Sequence, residues 1–166
     1  QIHATTDNPS GHTVSGYCVT NTSFTGNITN EGTISPSGIA FTNGTITGFI
    51  QSTGTIIGGI ALDSASQISS GSHGIFAGGN ATGGSSVTVS TFGGGISNAG
   101  TIAAVHDGIL VGRSGGGGQA NISTFTGGVT NSVLISSSGA LGITFGALTI
   151  GGSLVNAAGG TVSAKN

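Results

Sequence analysis

The sequence predicts an all-β fold built as a solenoid, a stack of short coils that pair with one another rather than within themselves. Three observations predict it. The first is a recurring unit. Its clearest copy is Gly93-Gly94-Gly95-Ile96-Ser97-Asn98-Ala99-Gly100-Thr101-Ile102, and worn copies lie at residues 26–34, 49–56, 127–135 and 152–162. A short strand, a glycine corner and a Thr-Ile step cannot bury an apolar side unaided, and such units recurring every 20–50 residues or so mean stacking. The second is composition: 35 glycines, only 4% charged residues, no Met and no Trp. So much Gly and Ser would suit a flexible linker, but the mean hydropathy is +0.33 and the apolar residues recur at regular places. The third is residue type, since β-branched Ile and Thr favour extended chain while Gly supplies the corners.

Residues 1–20 stand apart. They contain His3, Asp7, Pro9, His12, Tyr17 and Cys18 and lack the Gly-Thr-Ile step. They are expected to form an N-terminal cap over the open end of the stack, or an arm that leaves it. The solenoid is then residues 21–166.

Within the solenoid a Phe or Ile stands four residues before each central apolar residue: Phe24 before Ile28, Ile46 before Ile50, Phe92 before Ile96, Phe125 before Val129 and Ile150 before Leu154. A second short strand opens with Gly-Ile at Gly38-Ile39, Gly59-Ile60, Gly74-Ile75, Gly108-Ile109 and Gly142-Ile143. Apolar residues two apart, such as Ile39 and Phe41, share a strand face. Each coil is thus expected to have about three strand pieces. The predicted inward core is Ile28, Ile34, Ile50, Ile56, Ile96, Ile102, Val129 and Ile135.

Spacing sets the coil length. Ile28 to Ile50 is 22 residues, whereas Ile68 to Ile102, Ile75 to Ile109 and Ile109 to Ile143 are each 34. The longer period is expected to be one coil with a protruding polar loop, at residues 78–86 and 112–120. Between Ile56 and Ile68 the phase slips, and that coil is left unassigned. Parallel, in-register pairing would stack equivalent residues about 4.8 Å apart. Asn30, Asn98, Asn131 and Asn156 each lie two residues after the central apolar one, and are expected to form one asparagine column, with Ser52 breaking it in the second coil.

The segments Gly94-Gly95-Ile96-Ser97-Asn98-Ala99-Gly100-Thr101-Ile102 and Gly108-Ile109-Leu110-Val111-Gly112 resemble the passenger regions of bacterial autotransporters and related large surface adhesins. The resemblance spans about residues 22–164. It implies a right-handed parallel β-helix, exported to the cell surface, that serves as an adhesin, a spacer or a filament-like stalk. No amphipathic barrel follows Asn166, so the expectation is export by another system or from a severed barrel. No leader is visible at Gln1, which suits a mature secreted product or a piece of a longer chain.

Charge narrows the partners. Two basic residues, Arg113 and Lys165, against four acidic ones leave a formal charge of −2. That cannot track a phosphate backbone or an anionic bilayer, so nucleic acid and membrane insertion are disfavoured, and no run of about 20 apolar residues reads as a membrane helix. Cys18 is alone, so no internal disulfide forms, and a buried thiol is the expectation.

Catalytic readings fare poorly. Glycoside hydrolysis needs paired carboxylates roughly 5–10 Å apart, and Asp7, Glu31, Asp63 and Asp107 are widely spread along the repeat. The densest titratable group is His73 with His106 and Asp107. The 34-residue register sets His73 beside Asp107 and Ser72 beside His106, yet no nucleophile turn or oxyanion hole accompanies a Ser-His-Asp reading. Nor do these residues have metal-ligand spacing. The run Gly115–Gly118 is followed by Gln119, so it is neither a calcium repeat nor a phosphate loop. Sequons occur at Asn21, Asn27, Asn43, Asn80 and Asn121, and a Thr-x-Thr ladder suited to ice is limited to Thr45-Ile46-Thr47. No cofactor is implied. The expectation is a secreted, non-enzymatic structural or adhesive solenoid that assembles head to tail, or else a carbohydrate-binding module using the loops at 78–86 and 112–120 against a glycan or host surface.

Overall fold

Most of the strands are only two to four residues long, too short to hold an apolar face on their own, so each pairs with its counterpart one coil away. The computed structural model describes residues 2–3, 6–77, 87–89, 92–112, 120–122, 125–145 and 151–165. Over these the chain is a parallel β-helix, with no α-helix among the described residues.

The first coil comprises β1 (Ile2–His3), β2 (Thr6–Asn8) and β3 (Thr13–Thr20). The second has β4 (Ser23–Thr25), β5 (Ile28–Asn30) and β6 (Thr33–Thr42), and the third β7 (Thr45–Thr47), β8 (Ile50–Ser52), β9 (Thr55–Ile56) and β10 (Ile60–Leu62). The fourth has β11 (Gln67–Ser70), β12 (Ile75–Ala77), β13 (Val87–Val89) and β14 (Ile96–Asn98). The fifth repeats that order as β15 (Thr101–Ala104), β16 (Ile109–Val111), β17 (Ala120–Ile122) and β18 (Val129–Asn131). The sixth has β19 (Leu134–Ser137), β20 (Ile143–Phe145) and β21 (Leu154–Asn156), after which β22 (Thr161–Ala164) begins another turn.

These strands stack into three parallel sheets. The first runs β1-β4-β7-β11-β15-β19-β22, the second β2-β5-β8-β12-β16-β20, and the third β3-β6-β10-β14-β18-β21 with β9 beside β6. A small fourth sheet pairs β13 with β17. Pairing is in register, so like residues form columns: Ile46, Ile68, Ile102 and Ile135 in the first sheet, and Ile28, Ile50, Ile75 and Ile109 in the second. Ile28, Ile34, Ile50, Ile56, Ile96, Ile102, Val129 and Ile135 are all buried. Burying an Ile contributes roughly 1.5–3 kcal/mol, and the columns set most of these side chains against another apolar side chain in the neighbouring coil, as Ile96 against Ile60 and Val129 and Ile56 against Ile34 and Phe92.

Three expectations need correction. Residues 1–20 were expected to be a cap or an arm. Residues 2–3 and 6–20 instead supply the first coil itself, paired with the second from Thr6↔Ile28 to Val19↔Phe41. The missing Gly-Thr-Ile step is present in altered form, because Thr13-Val14 pairs with Thr33-Ile34 after a corner two residues longer.

The recurring unit does not keep one place around the axis. Around Ile28 and Ile50 it turns from the second sheet into the third, whereas around Ile96, Val129 and Leu154 it turns from the third into the first. Any corner of a three-sided coil offers an inward position, a bend and another inward position, so the unit's chemistry suits more than one corner. The slip between Ile56 and Ile68 is where the change occurs. Ile56 pairs with Ile34 in β6 and bridges to Phe92, and Gly58-Gly59 then leads into β10.

The single asparagine column is therefore two. Asn30 stacks between Asn8 and Ser52 in the second sheet, while Asn98, Asn131 and Asn156 stack in the third, on Leu62.

The 34-residue spacing is one coil, since Ile68 pairs with Ile102 and Ile75 with Ile109. The loop at 78–86, and residues 113–119 of the loop at 112–120, lie outside the described residues. Glycine is required where the third side bends. Gly38, Gly59, Gly95 and Gly128 have φ of +75°, +79°, +71° and +68°, and each precedes an inward Ile or Val. A Cβ on Gly95 would lie 2.5 Å from Gly127 O, and one on Gly128 2.3 Å from Ser153 O. No other residue fits a left-handed backbone packed this closely.

Candidate functional site

The inward Asn positions follow from strand alternation. In β14, Ile96 and Asn98 face in and Ser97 faces out, which leaves the Asn amide inside the corner where only another coil can satisfy it. Asn8 Nδ2 donates to Asn30 Oδ1 at 2.7 Å, and Asn30 Nδ2 to Ser52 Oγ at 3.0 Å. In the later coils Asn98 Nδ2 donates to Asn131 Oδ1 and Asn131 Nδ2 to Asn156 Oδ1, both at 2.8 Å. Each amide also reaches a carbonyl of the next coil: Asn8 to Thr33 O, Asn30 to Thr55 O, Asn98 to Leu134 O and Asn131 to Thr161 O. In each Asn-to-Asn bond the Nδ2 of one coil donates to the Oδ1 of the following coil.

Two sequon asparagines form a third ladder: Asn21 and Asn43 stack at the corner from the third sheet to the first. Asn43 Nδ2 donates to Asn21 Oδ1 at 3.0 Å, and both residues are left-handed with φ of 49° and 48°. Their 22-residue separation, equal to that of Ile28 and Ile50, was the available signal. Asp63 takes the next place, its carboxylate accepting the Asn43 N–H. The Ser66 hydroxyl, with the Asn43, Ala65 and Ser66 amides, holds the Asp63 carboxyl below its usual range. The Asn27 sequon side chain accepts from Phe49 N, and Asn80 lies outside the described residues.

His73 and Asp107 do meet. Each directly precedes the Gly-Ile step into a second-sheet strand, β12 or β16, so the register sets them one coil apart. His73 Nδ1 lies 3.3 Å from Asp107 Oδ2 and accepts the Asp107 N–H at 3.3 Å. Asp107 Oδ1 reaches one coil further, accepting from Leu141 N at 3.1 Å and Thr144 Oγ1 at 2.8 Å. The His73 ring packs against Phe76 and His106, with centroids 5.1 and 5.4 Å away. Burial pushes the His73 imidazole below its usual pKa and His106 adds to this, while the Asp107 carboxylate opposes it. Ser72 meets His106 through backbone, His106 N donating to Ser72 O at 3.1 Å. The cluster thus links three successive coils.

The other carboxylates are dispersed around the axis. Asp7 accepts from Thr29 Oγ1 on the second sheet's outer face at 2.6 Å, Glu31 lies in the corner after β5, and Asp63 in the corner after β10. Among the described residues no group of three His, Cys, Asp or Glu converges to hold a metal. Cys18 was expected to be buried and is exposed. Tyr17 and Val19 take the inward register of Ile39 and Phe41, which turns Cys18 outward beside Ala40. No family model, curated protein or solved structure matches the chain.

Proposed function

We propose that the chain is a secreted, non-enzymatic structural or adhesive element of a cell surface or extracellular matrix, which assembles end to end into filaments. The observation that carries this reading is the run of parallel ladders, up to seven strands deep, with side-chain ladders of Asn inside them. Backbone hydrogen bonds in such a stack lie along the solenoid axis, so tension along that axis is shared among three sheets at every coil. The titratable side chains that come together, His73 and Asp107, bond to neighbouring coils, a role in holding the stack. A formal charge of −2 on 166 residues offers little repulsion to lateral or end-on packing. Electron microscopy of the purified chain is the test. Filaments one solenoid wide are expected; isolated particles at every concentration would refute the reading.

A further inference from the structure

We propose that His73 is a proton-operated latch at the corner between the first and second sheets. Neutral, its Nδ1 accepts the backbone N–H of Asp107 in the next coil. Protonated, Nδ1 turns donor to the Asp107 carboxylate and the N–H is released. The corner that ties the fifth coil to the fourth is therefore closed near neutral pH and opens locally in acid.

One nitrogen stands before two partners that need it in opposite forms. His73 Nδ1 lies 3.3 Å from Asp107 N and 3.3 Å from Asp107 Oδ2. A neutral imidazole has one donor and one acceptor nitrogen, whereas an imidazolium has donors only. The amide N–H can only donate and an ionised carboxylate can only accept, so Nδ1 serves one of them at a time. In the neutral ring the bond from the N–H sets the proton on Nε2, which leaves the Nδ1 lone pair facing the carboxylate. Uptake of a proton turns that opposition into an ion pair. It also withdraws the acceptor that the Asp107 N–H uses.

The surroundings hold both partners in place. Asp107 Oδ1 is anchored to the sixth coil by Leu141 N and Thr144 Oγ1, which keeps Oδ2 against the ring. The imidazole packs on Phe76, itself 2% exposed, and the side chains of His73 and Asp107 are only 15% and 14% exposed. Among the described residues the titratable side chains facing the ring are His106 and Asp107 of the fifth coil. The third coil contributes Phe49 and Gln51 and the fourth Ser72, which line one crevice with His73 and Phe76; none of them titrates near neutral pH. Burial, with a smaller contribution from His106, opposes charging of His73 and Asp107 favours it, so the latch is closed at pH 7.5 and titrates below the ordinary His value of about 6.5. The flanking bonds, His106 N to Ser72 O and Gly74 N to Asp107 O, join backbone to backbone. Neither acceptor takes up a proton in this range, so the opening stays local.

Nuclear magnetic resonance of the intact chain tests the latch. At pH 7.5 the imidazole nitrogen shifts of His73 should place its proton on Nε2. A neutral ring with the proton on Nδ1 overturns the proposal, because the Asp107 N–H would then have no acceptor to lose. Between pH 7.5 and 5, amide exchange at Asp107, corrected for its intrinsic pH dependence, should lose protection about tenfold. The His106 amide, bonded to Ser72 O, should change less than about twofold over the same range. His73→Asn sets a non-titrating amide near the place of Nδ1, and should make the Asp107 protection independent of pH. Equal losses at Asp107 and His106, or a His73→Asn variant that responds as the parent does, overturn the latch. If that variant does not fold, the parent's tautomer and its Asp107-to-His106 contrast decide the matter alone.

Discussion

Asn98 and Asn131 stand 33 residues apart in sequence and one rung apart in space, with Asn98 Nδ2 donating to Asn131 Oδ1 at 2.8 Å inside the solenoid. Both side chains are buried, so the bond has no exchange with water to soften its loss. Asn98→Ala strands the Asn131 acceptor and frees Leu134 O, and should destabilise the fold by about 1–3 kcal/mol. Thr130→Ala, on the outer face one residue before Asn131, should stay within about 0.5 kcal/mol. Denaturant midpoints of the two variants check the contrast.

The inward Ile columns set a larger scale. Ile96 is buried between Ile60 and Val129, and Ile96→Ala should cost about 2–5 kcal/mol. Equal stability of variant and parent in a chemical melt would put Ile96 on the surface and refute the register.

Glycine is specific at the bend. Gly95→Ala must fit a methyl group 2.5 Å from Gly127 O at a φ of +71°, and should destabilise by at least about 2 kcal/mol. Gly71→Ala meets nothing within 4 Å and should change stability by less than about 0.5 kcal/mol. Thermal melts of the pair measure the difference.

The His73 corner gives the fold an acid sensitivity. Its imidazole pKa lies below the ordinary value because of burial, so in the window just below about 6.5 the unfolded chain binds the proton that the folded chain resists. Stability is then full above that window and falls as pH drops through the folded pKa. The Asp63 carboxyl, also held low, acts with the same sign in the carboxylate range. A His73→Gln variant should lose less stability than the parent between pH 7.5 and 5. Identical losses would show that His73 makes no such contribution.

How far the sequence could be read depended on what each pattern encodes. The inward positions were legible because Ile28 and Ile50, or Ile75 and Ile109, repeat at the length of a coil, and parallel in-register pairing converts equal spacing into contact. The meeting of His73 and Asp107 followed from the same arithmetic. Which corner a unit occupies was not legible, since Ile28-Thr29-Asn30 and Ile96-Ser97-Asn98 have the same alternation and their place is set by the neighbours above and below. The first coil was hidden by its longer corner, in which Pro9, Ser10, Gly11 and His12 replace the two residues found at Glu31-Gly32. The Asn21–Asn43 ladder was obscured because each Asn precedes a sequon Ser or Thr, and only their common 22-residue spacing marks them as a column.

Sedimentation velocity of the 166-residue chain over a wide concentration range tests the central claim most directly. End-to-end assembly predicts a sedimentation coefficient that climbs with concentration through a series of elongated species, because an open heterologous contact does not close at a fixed size. A sole species at the 15.7 kDa of one chain, unchanged at the highest concentration, would contradict it.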